Sequence, residues 1–329
     1  MPSRSLPLYL GMIAAVLGLA LLTVGFLIGV WGVFYGVLAA FGAGSPEYVA
    51  TGIAALTLLA IGLFEYKQLD SIERVADARR VDSADAPTLY ETATRVAAQL
   101  DVPVPTIAIS DRRAPEALAV GFRPGNVHLV LSRGTLDALQ GTEELEAVVA
   151  HELAHVKNRD AMVMTVVSLP VVLADGLGSR VAEVEDPGWA AIVTVPLAVV
   201  STVVGTVGRA ITARLSRVRE RAADRTAATV TGSPAALASA LKRLDEDIAD
   251  TPTRDLRDAS GVSSLSILPL EPAELEKVML GPEGETEPSY WWLRTRLHRL
   301  ERWLFRTHPP TEERIETLSA AEYEQETSA

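Results

Sequence analysis

From Leu8 to Phe64 the only charged residue is Glu47. A helix that crosses a bilayer needs about 20 apolar residues. The stretch therefore predicts two spans, broken near Gly42-Ala43-Gly44-Ser45-Pro46. The first apolar run is far longer than the core of a cleaved signal peptide and a second follows it, so both read as anchors. Past Phe64 the pattern changes abruptly. Lys67, Arg74, Arg79 and Arg80 follow the second span, whereas the link between the spans carries only Glu47. Because cationic flanks stay on the cytoplasmic side, the link is expected outside. The N-terminus (with Arg4) and everything after Lys67 are expected inside.

Further along, Asp85 to Leu100 predicts a helix with apolar positions at Leu89, Ala93, Val96, Ala97 and Leu100. Thr106–Ser110 and Asn126–Ser132 are short β-like runs, and Glu143 to Arg159 predicts a second helix. A new apolar region then opens. Ala161 to Ala174 is uncharged, Asp175 is the sole charge up to Ser179, and Pro187 to Gly208 is again uncharged. Asp175, Arg180, Glu183, Glu185 and Asp186 lie between the two runs. A membrane hairpin with its acidic tip outside agrees with the orientation above; a buried helical pair within a soluble domain is the other reading. After Gly208 a polar helix is expected. Thr251–Ser264 and Gly281–Ser289 read as loops, and Ser319–Ala329 as a solvated acidic tail.

Composition narrows the chemistry. Thirty Lys and Arg stand against 42 Asp and Glu, a net charge of −12, which argues against nucleic-acid binding. Acid character alone also serves solubility. There is no cysteine, so a metal would have to use imidazole and carboxylate, donors that zinc accepts.

Ala150-His151-Glu152-Leu153-Ala154-His155 supplies them as His-Glu-x-x-His on the expected helix. Residues four apart lie on one helical face, so both imidazoles can reach one ion. Glu152 lies beside them, able to contact a metal-bound water. Chance alone could pair two histidines, but the chain has only five. A catalytic zinc needs a third protein ligand. Arg219-Glu220-Arg221-Ala222-Ala223-Asp224 offers Glu220, with Asp224 on the same face to steady a ligating imidazole. On its own the segment would pass for a solvated, charged helix face. Spacing decides: Glu220 lies 65 positions beyond His155, but excising 161–209 removes 49 and leaves 16, ordinary for two packed helices. The hairpin thus reads as an insertion that holds the site near the membrane surface.

The run Glu146 to Asp160 resembles the active-site helix of the HtpX-type membrane metalloproteases, relatives of the prenyl-protein CAAX endopeptidases. Ser216–Asp224 is similar to their third-ligand segment, and Thr307-His308-Pro309-Pro310-Thr311-Glu312-Glu313-Arg314-Ile315 to their C-terminal His-Pro-Pro element. Two positions depart from the pattern: Arg221 replaces an aromatic, and Glu116-Ala117-Leu118-Ala119-Val120-Gly121 stands for an Asn-Ala-Phe-like edge segment. The resemblance implies a mainly α fold with a small β-sheet, made of transmembrane helices and a zincin-like (gluzincin) metallopeptidase domain. The expected division is an anchor at 1–66, a cytoplasmic metallopeptidase domain at 67–160 and 210–329, and the inserted hairpin at 161–209. One zinc ion per subunit is expected on His151, His155 and Glu220, with Glu152 as general base and Asp224 behind a ligand. By resemblance His308 becomes the candidate oxyanion donor and Arg314 an organiser of its segment; a plain turn residue is the other reading of His308. The implied activity is endoproteolysis of membrane or misfolded proteins at the cytoplasmic face of the cell membrane. A CAAX-type processing peptidase with a lipidated substrate, and a catalytically silent zinc-binding membrane scaffold, are the alternatives. The intact Glu152 speaks against the scaffold.

Three other features stay open. Ala117–Val120 could be a strand edge that pairs with an extended peptide or an ordinary strand, and His128 reads as a strand residue. Tyr290-Trp291-Trp292-Leu293 runs on into Leu297, Leu300, Trp303, Leu304 and Phe305, interleaved with Arg294, Arg296, Arg299, Arg302 and Arg306. Such a helix suits a membrane interface or a core helix with snorkelling arginines.

Overall fold

In hydrocarbon, backbone N–H and C=O groups can be satisfied only within the chain, so long apolar runs become helices. The computed structural model describes residues 6–68, 78–120, 127–250 and 291–328; Arg74 and the expected loops at 251–264 and 281–289 lie outside them. α1 (Leu6–Ala40) and α2 (Pro46–Gln68) form the N-terminal pair. Gly42 (φ 70°) and Ser45 (φ 55°) turn the chain between them. Among the described residues four helices are long and apolar enough to cross a bilayer: these two and two in the 160–231 region.

The chain divides into two units. The first holds α1, α2, α6 (Asp160–Ala182) from Val163 onward, and α7 (Ala191–Thr231) as far as Leu215. Phe26, Val30, Ala54, Ile61, Leu173, Ala174, Leu197 and Val204 form its interior. Its helices approach closely where side chains are absent: a Cβ on Gly208 would stand 2.5 Å from Val171, and one on Gly29 3.0 Å from Val200. Val166, Leu169, Val199 and Val203 are exposed, a surface that suits lipid. Asp175 pairs with Arg209 across α6 and α7 at 2.5 Å.

The second unit carries a four-stranded sheet of β1 (Ala78–Arg80), β2 (Thr106–Ser110), β3 (Ala117–Val120) and β4 (His128–Ser132), in the order β1-β2-β4-β3. β2 and β4 are parallel; β1–β2 and β3–β4 are antiparallel, with Ala119 opposite Leu129. Among the described residues β3 is therefore an edge. α3 (Pro87–Leu100) starts on a proline at its first turn and ends where Asp101 turns left-handed, its N–H returning to Ala97 and Ala98. Its predicted apolar face joins Ile107, Leu129 and Leu131 of the sheet. The same core takes Val148, Val149 and Leu153 of α5 (Thr142–Lys157), and Leu237, Leu241 and Leu244 of α8 (Pro234–Asp250). A short helix, α4 (Arg133–Ala138), links β4 to α5.

Three expectations change. The polar helix expected after Gly208 is no separate element: α7 runs unbroken for 41 residues, because Gly208 serves close packing and nothing around it stops a helix. The helix expected to reach Arg159 ends at Lys157, since Arg159 is left-handed (φ 56°). The expected acidic tail is helical to Ser328, as part of α10 (Thr311–Ser328), which follows α9 (Trp291–Phe305). Ile315 and Leu318 seat α10 on the core, and the Glu322 carboxylate accepts the Ala235 N–H at 2.9 Å. Both apolar positions lie just before the segment read as a tail.

Candidate metal centre

α5 presents His151 and His155 on one face, as helical spacing requires. Their Nε2 atoms stand 3.2 Å apart. α7 brings Glu220 to them, Oε2 3.5 Å from His151 Nε2 and Oε1 3.5 Å from His155 Nε2. Two ligand atoms held tetrahedrally at 2.0–2.1 Å from one zinc ion lie about 3.3 Å apart. All three separations agree with that demand. The buried Glu220 Oε2 also lacks a hydrogen-bond partner among the described residues, so this donor set and its geometry fit a zinc ion.

The other nitrogen of each ring faces a carboxylate. Asp224 Oδ1 is 2.9 Å from His151 Nδ1, and Asp160 Oδ2 is 2.6 Å from His155 Nδ1. A carboxylate there keeps the proton on Nδ1, which turns the Nε2 lone pairs toward the shared point. Two such lone pairs 3.2 Å apart repel unless a cation lies between them. Each carboxylate is itself backed by an arginine. Arg314 grips Asp224 in a two-pronged pair at 2.7 and 2.9 Å, and Arg219 Nε is 3.0 Å from Asp160. Burial pushes His151 down, but the carboxylates of Asp224 and Glu220 outweigh it and lift the ring to about 9.

Glu152 is buried beside the ligands. Its Oε2 accepts the backbone N–H of Ala119, on edge strand β3, at 3.0 Å, and its Oε1 has no hydrogen-bond partner among the described residues. Burial, with the Glu220 charge adding to it, raises this carboxyl to about 8 against the pull of His151, the Ala119 N–H and Arg314.

The segment between α9 and α10 closes the site. Arg217 donates to the Arg306 carbonyl, Arg221 pairs with Glu313 at 2.7 Å, and Arg314 holds Asp224. These ties to α7 bring in the buried ring of His308, whose Nδ1 lies 3.5 Å from Glu220 Oε2. Neither His308 nitrogen has a hydrogen-bond partner among the described residues. Arg221, the departure from the expected aromatic, thus serves as a surface tie. Glu116, the other departure, is buried, with Arg112 Nη1 at 3.1 Å from its carboxylate. Its main chain is fixed by Ser132 and Thr135. His128 is buried in β4 and does not join the metal donors.

Sequence reasoning sets Asp160 aside as a helix-end or membrane-boundary residue and does not reach Arg219 or the Ala119 N–H. A signal for Asp160 existed: two ligand rings need two acceptors, and Asp224 could serve only one.

The model of peptidase family M48 matches residues 83–322. A protein named protease HtpX homolog from Moorella thermoacetica is 36% identical over 231 residues, 67% of this chain and 75% of its own. A namesake from Pyrococcus abyssi is 32% identical over 287 residues, 81% of this chain and 84% of its own. The protease HtpX homolog 1 of Streptomyces coelicolor is 39% identical over 198 residues, 58% and 64% of the two chains. Among solved structures, S. mikatae Ste24p aligns over 95% of this chain and 66% of its own, with a TM-score of 0.43 and 16% identity.

Proposed function

From the premise that the chain belongs to peptidase family M48 and is an HtpX-type membrane metalloendopeptidase, we propose that it binds one zinc ion per subunit through His151, His155 and Glu220. We propose further that it hydrolyses peptide bonds of membrane or misfolded proteins at the cytoplasmic face. The observation that carries this reading is the convergence of the three donors at 3.2–3.5 Å with Glu152 beside them.

Zinc bound there would supply Lewis acidity toward water and a peptide carbonyl. Glu152 takes the proton of the attacking water and later returns it to the leaving amine. Its buried setting keeps its affinity for protons near what both transfers need. His308, buried beside Glu220, is the donor for the oxyanion. Asp224 orients His151, and Arg314 fixes Asp224 while lying 3.7 Å from Glu220. The edge of β3 beside Glu152 offers an extended substrate backbone a strand to pair with. The cytoplasmic orientation follows from the cationic residues after α2 and the acidic hairpin tip.

The test uses protein purified in detergent, with bound zinc and casein cleavage measured for the wild type and Glu152→Gln. Stoichiometric zinc in both and cleavage lower by about 10²–10⁴-fold in the variant are expected. Equal cleavage by the two would remove Glu152 from the mechanism. Glu220→Ala should abolish zinc binding; a variant that still binds it stoichiometrically would refute the ligand set.

A further inference from the structure

α9 turns an apolar ridge outward. Leu297 is 55% exposed, Leu300 55% and Trp303 71%. Recurring every third residue, they line one side of the helix. Arg296 and Arg299 are exposed beside them. The C-terminal end of the helix is seated: Leu304 and Phe305 are half-buried, and the Arg306 carbonyl takes the Arg217 guanidinium. The ridge is thus no part of the core, and the snorkelling-arginine reading of a core helix does not describe it.

Charge says what the ridge meets. The chain as a whole carries −12, yet α9 holds Arg294, Arg296, Arg299 and Arg302 against Glu301 alone. A basic helix on an acidic protein attracts an anionic surface. Tryptophan and leucine on the same face need that surface to be apolar beneath. A chain with four apolar helices of spanning length always has such a surface within reach. We propose that α9 is a bilayer-docking helix. It lays Leu297, Leu300 and Trp303 at the boundary of the acyl chains and sets Arg296 and Arg299 against anionic lipid phosphates. The proposal is independent of the metal site.

The chain has no cysteine, so Leu300→Cys carries a nitroxide label at one position only. Full-length protein is placed in nanodiscs of phosphatidylcholine, alone or mixed with phosphatidylglycerol. Collisions of the label with oxygen, which concentrates in lipid, are compared with those of a water-soluble nickel chelate. Oxygen should dominate in anionic discs and lose ground in neutral ones or at high salt. Arg296→Gln and Arg299→Gln should each lower the docked-to-undocked ratio by about fivefold. A label at Ser319→Cys, on the exposed side of α10, should stay open to nickel throughout. Leu297→Cys repeats the measurement one turn away should Leu300→Cys fail to fold. Nickel dominance at 297 or 300 in anionic discs overturns the proposal. So does shielding from both reagents, which would mean a protein partner or a second copy. Equal oxygen exposure in both lipids, untouched by the arginine changes, overturns the part played by headgroup charge.

Discussion

Replacing Asp160 by Asn removes one charge and almost no volume, and it strikes two contacts at once. His155 loses the carboxylate that stands 2.6 Å from its Nδ1, and Arg219 loses its partner at 3.0 Å. At 3.0 Å and an effective dielectric constant of about 20, the Arg219 pair has a gross attraction of about 5 kcal/mol. Desolvation of two largely buried groups offsets most of this. The metal term is cleaner. Removing the carboxylate behind a ligating histidine typically weakens metal binding by about 10–100-fold, or about 1.4–2.8 kcal/mol. Zinc affinity measured by competition with a chromogenic chelator should fall by that factor in Asp160→Asn. Arg219→Gln should show a smaller loss, because the carboxylate behind His155 survives. Melting of the zinc-free protein supplies the control, since a purely structural tie would lower Tm equally with and without metal. Affinity unchanged within about threefold, together with a Tm loss independent of zinc, would refute the assignment of Asp160 to the metal centre.

Other outcomes follow from the same structure. Burial acts to raise Glu144, but the Ser239 hydroxyl at 2.6 Å, the Gln140 N–H at 2.7 Å and Arg243 at 3.0 Å outweigh it and hold the carboxyl below its ordinary value. A depressed carboxyl stabilises the fold above its unfolded pKa of 4.5, and that contribution fades as pH falls through the lower folded value. Glu144→Gln should therefore cost about 1.5–3 kcal/mol near pH 7, read as a lower Tm, with a difference that shrinks in acid. A Cβ on Gly134 would collide with the Arg113 backbone carbonyl, which cannot swing aside as a side chain can. Gly134→Ala should cost about 1–3 kcal/mol or more, seen as a lower Tm or loss of soluble protein on detergent extraction. Leu153, fully buried between the two ligand histidines in sequence, should cost about 2–5 kcal/mol on truncation to Ala, measured by thermal melting in detergent.

The legible parts of this chain are those with a period or an uncharged length. α1, α2 and the hairpin helices announce themselves because a bilayer-length run of Leu, Val, Ala and Gly has few alternatives. The His151/His155 spacing is legible because a helix turn is its only simple reading. Glu220 becomes readable only after the hairpin is removed from the count, and that step needs no coordinates. Asp160 resists, since an acid five positions past a ligand lies off the ligand face of a continuous helix. It reaches His155 because Arg159 turns left-handed and redirects the chain. β1 resists for another reason. Ala78-Arg79-Arg80 has no alternating pattern and is a strand only because β2 offers it an edge. Residues 319–328 illustrate the opposite error: their own charge reads as a tail, while the apolar positions that anchor α10, Ile315 and Leu318, lie just before them.

The bond from Ala119 to Glu152 has a consequence for how this enzyme can vary. Its donor is a peptide N–H, the same whatever side chain follows it, so alanine scanning passes over it and sequence drift at position 119 leaves it in place. Only proline deletes it. The position of the Glu152 carboxylate is thus fixed in part by the path of the main chain, where neither mutation nor selection on side chains can easily reach it.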